Sequence, residues 1–349
     1  MEKQDILSMT LPEIAAVLKQ KGEPAYRAEQ IFTWLHQKKV TSFEEMTSIS
    51  NKLKQVLSEE FYINSLNIEK KLVSGIDNTV KYLYRLRDGE TVETVLMRYH
   101  HANSLCISTQ VGCRMGCKFC ASTIAGFVRN LTPSELLCQI YQTERDSGVE
   151  IGSIVLMGIG EPLDNYDNVL RFLRLVSDPK GKCLSLRHLS LSTCGLVDRI
   201  RQLADEKLGL TLSVSIHASD DESRNAVMPV NRKYPIAELL DACRYYFKTT
   251  GRRISFEYAM ISGVNDSPAH ARALGERLRG MQAHVNLIPV NPVKERSFRS
   301  SDKARIERFE TILSGYGLAV TVRRRLGADI NAACGQLRRE EREQGQPGV

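Results

Sequence analysis

The stretch CISTQVGCRMGCKFCAS holds four cysteines, Cys106, Cys113, Cys117 and Cys120. The last three are spaced C-x3-C-x2-C. Thiolates in such a run are ligands for zinc or for an iron–sulfur cluster. A closed structural zinc site needs four ligands, usually as two separated pairs. No second C-x2-C or H-x3-H follows, and the next cysteine, Cys138, falls inside a helical pattern. Three thiolates leave one iron of a [4Fe–4S] cluster without a protein ligand. Such an open position marks a reactive site, because a substrate can bind there. Cys106 is left over and needs another task.

The elements that must position these thiols are legible. The strand pattern NSLCISTQ runs into the cluster. Behind it, helical patterns (TPSELLCQIYQTERD, NVLRFLRLVSD, LVDRIRQLADEKL, IAELLDACRYYFKTT, PAHARALGERLRGM, DKARIERFETILSGYG) alternate with strand patterns (SIVLMGIG, HLSLST, LTLSVSIHA, ISFEYAMI, HVNLIPVN, AVTVRRR). Six βα units in series predict a parallel sheet with helices outside, closed fully or partly into a barrel. The site of such a barrel lies at the C-terminal strand ends. Upstream, TVKYLYRL and TVETVLMRY alternate around DGE and predict a β-hairpin. The N-terminal region reads as helical: LPEIAAVLKQKG, which stops at Gly22 and Pro24, then YRAEQIFTWLHQKK and SFEEMTSISNKLKQVLSEEF. Ser42 and Glu45 make a capping-box pattern for the last of these. The predicted organisation is α/β: a helical accessory domain over 1–75, a β-hairpin extension over 76–98, and a partial barrel with its tail over 99–349.

Composition sets the bounds. The 349 residues suit about two domains at roughly 150 residues each. With 42% apolar residues a sizeable core can form. No run approaches a membrane span of about 18 apolar residues, and the charged N-terminus is not a signal peptide. A cytoplasmic address follows as the expectation, and thiols stay reduced there. The net charge of +7 permits an RNA partner, or merely a solvated basic surface. Lys38, Lys39, Lys52 and Lys54 are candidate phosphate contacts on the same two terms.

Several strand ends carry polar residues where core would otherwise continue. MGIGEP ends one strand; it lacks the third glycine of a dinucleotide loop and has Pro162 where a helix should start. Ser192 and Thr193 end HLSLST, Ser215, Ile216 and His217 end LTLSVSIH, and Asn291 ends HVNLIPVN. Such positions in a barrel line the site. Two further residues stand apart. Cys334 lies in GADINAACGQLRR beyond the last strand, and Glu93 lies in the hairpin; taken singly, each reads as a small buried residue and a solvent-facing glutamate.

CRMGCKFC, with Phe119 before the last cysteine, resembles the CxxxCxxC motif of the radical S-adenosylmethionine (radical SAM) superfamily, and MGIGEP resembles its GGEP motif. The whole chain resembles the RlmN/Cfr family of radical SAM RNA methyltransferases. The match runs through GEPAYRAEQIFTWLHQKK, VETVLM, CISTQVGCRMGCKFCAS, GFVRNLT, MGIGEPLDN, LSLSTCG, SIHA, MPVNRKYP, GVND, NLIPVNP and GADINAACGQL. GEPL and NLIPVNP look like the RlmN branch, which methylates C2 of adenosine. The Cfr branch, which methylates C8, typically has GEA there and is the alternative. Ile159 stands where the family commonly has methionine.

The resemblance implies a partial (β/α)6 radical SAM barrel. It implies that Cys113, Cys117 and Cys120 bind a [4Fe–4S] cluster, and that Gly160, Glu161, Ser192, Ser215, Ile216, His217 and Asn291 contact SAM. It also implies that Cys334 carries the methyl group, that Cys106 resolves the adduct through a transient disulfide, and that Glu93 is the proton acceptor. Two SAM molecules would be used per turnover. C2 lies between two ring nitrogens and is too electron-poor to attack a methyl donor; a thiolate can. The implied partners are 23S rRNA, at an adenosine in the peptidyl-transferase region, and tRNA, at the adenosine after the anticodon. An electron donor such as flavodoxin with its reductase is also implied, and no membrane.

Cys138, Cys183, Cys194 and Cys243 match no role and read as core or incidental residues. The target base must leave its stack. The N-terminal helical domain, read as RNA-binding, the hairpin and Arg323 to Arg325 are candidate phosphate contacts. Trp34 and Tyr26 read as core more than as stacking groups. Two rivals remain from other classes: a radical SAM activase of a partner protein, which would need neither Cys106 nor Cys334, and a zinc-stabilised RNA-binding module without catalysis.

Overall fold

A computed structural model of the chain describes residues 3–99, 102–291, 293, 295–332 and 337. Short strands β1 (Gln4–Asp5) and β2 (Phe61–Tyr62) pair in parallel around three helices, α1 (Leu11–Gln20), α2 (Tyr26–His36) and α3 (Asn51–Glu60). The α1 helix begins where the Thr10 amide donates to the Glu13 carboxylate at 2.7 Å. Ile14 and Leu18 of α1, Ile31, Phe32 and Leu35 of α2, and Leu53 and Leu57 of α3 are buried in one core shared with the rest of the molecule.

The helix expected from Ser42 does not form. Glu45 does reach back, accepting from the Thr41 and Ser42 amides at 2.8 and 2.9 Å. Yet the segment proceeds as turns closed by Met46 N to Phe43 O and Ile49 N to Met46 O, at 3.1 and 3.0 Å. Those turns bury Phe43, Met46 and Ile49. The helix starts at Asn51 instead, capped by the Ser50 hydroxyl.

Strands β3 (Asn67–Val73), β4 (Val80–Arg85), β5 (Thr91–Arg98) and β6 (Asn103–Cys106) form an antiparallel meander. A separate ribbon, β7 (Gln110–Gly112) with β8 (Phe127–Asn130), flanks the cysteine loop. The chain then alternates α4 (Pro133–Ser147), β9 (Ser153–Leu156), α5 (Tyr166–Ser177), β10 (Leu189–Thr193), α6 (Val197–Asp205), β11 (Thr211–Ser215), α7 (Asp221–Val227), α8 (Ile236–Thr250), β12 (Ile254–Met260), α9 (Pro268–Leu278), β13 (Ala283–Pro289), α10 (Lys303–Gly315) and β14 (Ala319–Val322). One ten-stranded sheet runs β14-β13-β12-β11-β10-β9-β6-β5-β4-β3. It is parallel from β6 to β14, and β3 and β14 are its free edges. The barrel is therefore partial. The sequence reading found each parallel strand and the six outer helices that join them; it missed β3, the β7–β8 ribbon and the short α7. The hairpin over 76–98 is the middle of the meander and continues the barrel sheet.

Parallel sheets are usually apolar on both faces. This one is not. Leu189 and Leu191 of β10 are buried toward the helices, whereas Ser190 faces the trough and meets Ser213 of β11 at 2.9 Å. Register carries the inner face onward through Ser255, Glu257, His284 and Asn286. In the other direction, Ser190 aligns with Val155, Val155 with Cys106, Cys106 with Val95, and Val95 with Lys81. A polar inner face signals a ligand-filled trough, not a packed barrel core.

Candidate active site

The cysteine loop springs from the β7–β8 ribbon. Gly112 has φ 79°, and a Cβ there would stand 1.8 Å from the Gly126 carbonyl oxygen, so only glycine lets the strands close. Lys118 N donates to Val227 O at 2.9 Å, tying the loop to the end of α7. The Thr123 hydroxyl donates to the Cys120 carbonyl at 3.0 Å. Arg114 pairs with Asp164 at 2.8 Å. The loop is thus fixed on three sides before any ligand arrives.

Cys113, Cys117 and Cys120 line one cavity of about 270 Å³ at the C-terminal ends of β9 to β13. Burial pushes the Cys113 thiol up to about 12, with the Cys120 charge adding to it. Cys117 is pushed up further, by burial first and then by Cys120 and Cys113. Mutual repulsion of this kind is what a cationic centre relieves. Among the described residues no three Cys, His, Asp or Glu side chains gather as ligands of a single metal ion. A four-iron cluster takes one thiolate at each of three irons, so its ligands stand around a cavity instead. Three thiols around one cavity, with polar side chains opposite, fit a cluster.

The opposite wall is polar. Ser192, Ser215 and Asn291 line the same cavity, and their side chains have no hydrogen-bond partner among the described residues, unlike Ser190 and Ser213 further down. They are placed to serve a polar ligand. Gly158 and Gly160 bring the end of β9 against Ile107 and Gln110, where a Cβ would meet backbone at 2.5 and 2.7 Å. Glu161 lines the cavity, but its carboxylate is engaged, accepting from Cys194 N at 2.7 Å and Leu163 N at 3.0 Å. Burial raises its pKa, and those amides pull it back. His217 adopts φ 52°, accepts from Ala259 N at 2.9 Å through Nδ1, and sets its ring edge-on to Phe119. Ile216 belongs to the core, so only its backbone could face a ligand.

Sequence reasoning missed Arg224. It is fully buried on α7 and donates to the carbonyls of Cys194 (2.7 Å), Ser215 (3.2 Å), Ile216 (3.1 Å) and Tyr234 (3.3 Å), and to Asn231 Oδ1 (2.9 Å). One guanidinium therefore joins the ends of β10 and β11. The signal was weak: an arginine amid the polar run DDESRN.

A second cavity, of about 390 Å³, adjoins the first and is lined by Glu93, Cys106, Tyr99 and Arg323 to Arg325. Met157, Gly158, Ile288, Asn291 and Arg323 line both cavities. Glu93 is not solvent-facing; it is 2% exposed and pairs with buried Lys81 at 3.0 Å. Lys81 was also missed, although the hairpin register puts it on the same face as Glu93. Cys106 is buried with Val95 and Met97, and Ala332 of the tail packs against that group. Cys334 lies outside the described residues. Cys106 is a free thiol, as are the other described cysteines. Cys138 and Cys243 are core residues, Cys183 is exposed, and Cys194 lines the first cavity while its backbone binds Glu161 and Arg224.

Of the expected RNA contacts, Trp34 packs against the core and donates to Ser48, while Tyr26 is 54% exposed beneath the Arg27 guanidinium. Lys39 is paired with Glu144 at 2.6 Å.

Known proteins match this chain closely. The model "Ribosomal RNA large subunit methyltransferase N-terminal domain" matches residues 4–63, and "Radical SAM superfamily" matches 107–273. The "Probable dual-specificity RNA methyltransferase RlmN" of Clostridium perfringens (strain 13 / Type A) is 53% identical over 336 residues, covering 96% of this chain and 97% of its own. The protein of the same description from Alkaliphilus oremlandii is 53% identical over 340 residues, covering 97% of this chain and 99% of its own. A crystal structure of a radical SAM methyltransferase from Sphaerobacter thermophilus has a TM-score of 0.91 at 41% identity, covering 95% of this chain and 98% of that one. With this identity sustained from the N-terminal helices to the tail, the chain belongs to the RlmN family of radical SAM RNA methyltransferases.

Proposed function

We propose that the protein methylates C2 of adenosine in 23S rRNA and in tRNA, with Cys334 as the methyl carrier. One observation carries the reading: the thiol-lined cavity and the Glu93–Cys106 cavity share a wall, with the tail segment leading to Cys334 packed beside Cys106. Neither an activase nor a zinc module calls for that second thiol site. When bound, the cluster and SAM supply a methyl group and a carbon-centred radical, two SAM molecules being used per turnover.

The protein's own residues do the rest. Ser192, Ser215 and Asn291 hydrogen-bond the polar groups of SAM beside Cys113, Cys117 and Cys120. The Cys334 thiolate takes a methyl group by displacement, which C2 cannot do. Once that carbon, having given up one hydrogen atom to the radical that bound SAM would supply, is joined to C2, Glu93 accepts the C2 proton, and the remaining electron would return to the cluster. Cys106 then attacks the Cys334 sulfur; the electron pair of the broken C–S bond passes to the carbon, which takes up a proton. The resulting disulfide is reduced each cycle, which suits a cytoplasmic enzyme served by a low-potential donor of the flavodoxin type. The N-terminal helical region and Arg323 to Arg325 contact phosphates. Pro162, in place of the alanine typical of the C8 branch, supports C2.

The test is nucleoside analysis of RNA treated with anaerobically reconstituted protein and isotope-labelled SAM. Labelled 2-methyladenosine is expected. Label found only in 8-methyladenosine, or in no nucleoside, would overturn the assignment.

A further inference from the structure

Lys81 lies on the inner face of β4 with its side chain fully buried. Its ammonium is 3.0 Å from Glu93 Oε2. It also donates to the Asn331 carbonyl at 3.0 Å. Glu93 and Lys81 are diagonal neighbours across the β4–β5 ladder, since Leu83 is the residue opposite Glu93. Asn331 belongs to the tail segment that leads into Cys334.

That segment is docked on the β3–β4 turn by crossed contacts. Asp329 accepts from Ser74 Oγ at 2.7 Å and Gly75 N at 2.9 Å. Asp77 accepts from Gly327 N at 2.9 Å. Within the segment, Ala332 N and Ile330 N close on Gly327 O at 3.0 and 3.2 Å. The crossed contacts sit at the rim. Further in, Ala332 packs against the Cys106 group, and the Asn331 carbonyl bonds Lys81.

We infer that Lys81 is a positioning residue that holds the Glu93 carboxylate and the tail segment in one fixed relation, so that proton acceptor and methyl carrier address the same carbon. A buried ammonium suits this task, because it has three donors and can serve a carboxylate and a carbonyl together. A hydrophobic residue at this place would remove this ion pair from Glu93 and this hydrogen bond from the Asn331 carbonyl. The inference rests on the roles of Glu93 and Cys334 proposed above, yet its structural half can be tested without them.

The first arm uses hydrogen exchange on the full-length protein. Lys81→Met removes one buried charge and could unfold the meander, so the double variant Lys81→Met/Glu93→Leu, which removes both charges, is measured with it. In a folded variant, the amides of Gly327, Ile330 and Ala332 should exchange about tenfold faster or more, the loss of one charge-assisted hydrogen bond. Amides of α3 should be unchanged. Wild-type exchange at those three positions in the double variant would overturn the inference. The second arm measures covalent RNA–protein adduct in single turnover. Glu93→Gln should accumulate adduct, and Lys81→Met should form several-fold less of it than wild type. If Glu93→Gln accumulates adduct while Lys81→Met forms it at the wild-type rate, the inference about Lys81 fails and the functional reading stands. If Glu93→Gln turns over normally, the assigned role of Glu93 fails, whatever the exchange shows.

Discussion

Arg224 donates through Nη2 to the Cys194 carbonyl at 2.7 Å while its Nε donates to Ile216 at 3.1 Å, so one side chain on α7 joins the ends of β10 and β11. Burial lowers the pKa of this guanidinium, and these hydrogen bonds go to carbonyl and amide oxygens. A planar fork can reach several carbonyls at once and an ammonium cannot. Arg224→Lys should therefore cost about 2–4 kcal/mol, the order of two lost charge-assisted bonds. Denaturant unfolding measures it. A cost below about 0.5 kcal/mol, the range of an ordinary surface change, would show that the staple carries no load.

Gly112 gives a second handle on the same region. Its positive φ and the Gly126 carbonyl oxygen, 1.8 Å from where a Cβ would sit, leave no room for a methyl group. Gly112→Ala should part the β7–β8 ribbon, lower stability by about 2 kcal/mol or more, and reduce iron per chain after reconstitution. Iron content equal to wild type would mean the cysteine loop does not depend on the ribbon.

The Cys106 thiol is pushed up to about 11 by burial, with the Arg323 guanidinium pulling the other way. A thiolate is the attacking species, so resolution should accelerate about tenfold per pH unit below that value. Decay of a preformed adduct between pH 7 and 9 checks this. Arg323→Met should slow the decay at each pH. A flat profile would mean that another step limits release.

His36 predicts how the fold responds to acid. Burial pushes its imidazole down to about 3, and Nδ1 meets the Tyr141 hydroxyl at 3.0 Å. The unfolded chain binds a proton near pH 6.5 that the folded chain refuses. Stability from this residue is complete above about pH 6.5 and falls as pH drops below it, by up to about 1.4 kcal/mol per unit. His36→Leu should lose some stability at pH 7.5, because Tyr141 loses its partner. Its deficit relative to wild type should then shrink on acidification to pH 5. Urea midpoints at the two values decide it; parallel pH curves would refute the assignment.

Much of this was legible from residue order alone. The βα alternation predicts each parallel strand because buried strands and amphipathic helices have different apolar periods. The three clustered thiols, Ser192, Ser215 and Asn291 could be placed around one cavity because strand ends are where a barrel presents its polar groups. The expected helix from Ser42 failed because Phe43, Met46 and Ile49 satisfy their burial through turns, which local capping signals do not distinguish. Glu93 looked solvent-facing for a related reason: an alternating strand does not say which face is covered, and the inner face was assigned only when β4, β5 and β6 were in register. Arg224 was hidden because its partners are carbonyls, which leave no trace in side-chain identity. Glu161 was placed at the cavity wall, but residue order gave no sign that its carboxylate also braces the backbone of Cys194.

The free margins of the sheet, β3 on one side and β14 on the other, have a bearing on what kind of molecule can reach the reactive centre. A closed cylinder admits only what fits through its end. An unclosed half-pipe can be entered sideways, except where residues 327–332 cross from β14 to the β3–β4 turn. A folded nucleic acid could lower one nucleotide into the trough while its helical stems rest on the rims, and no strand would have to be threaded.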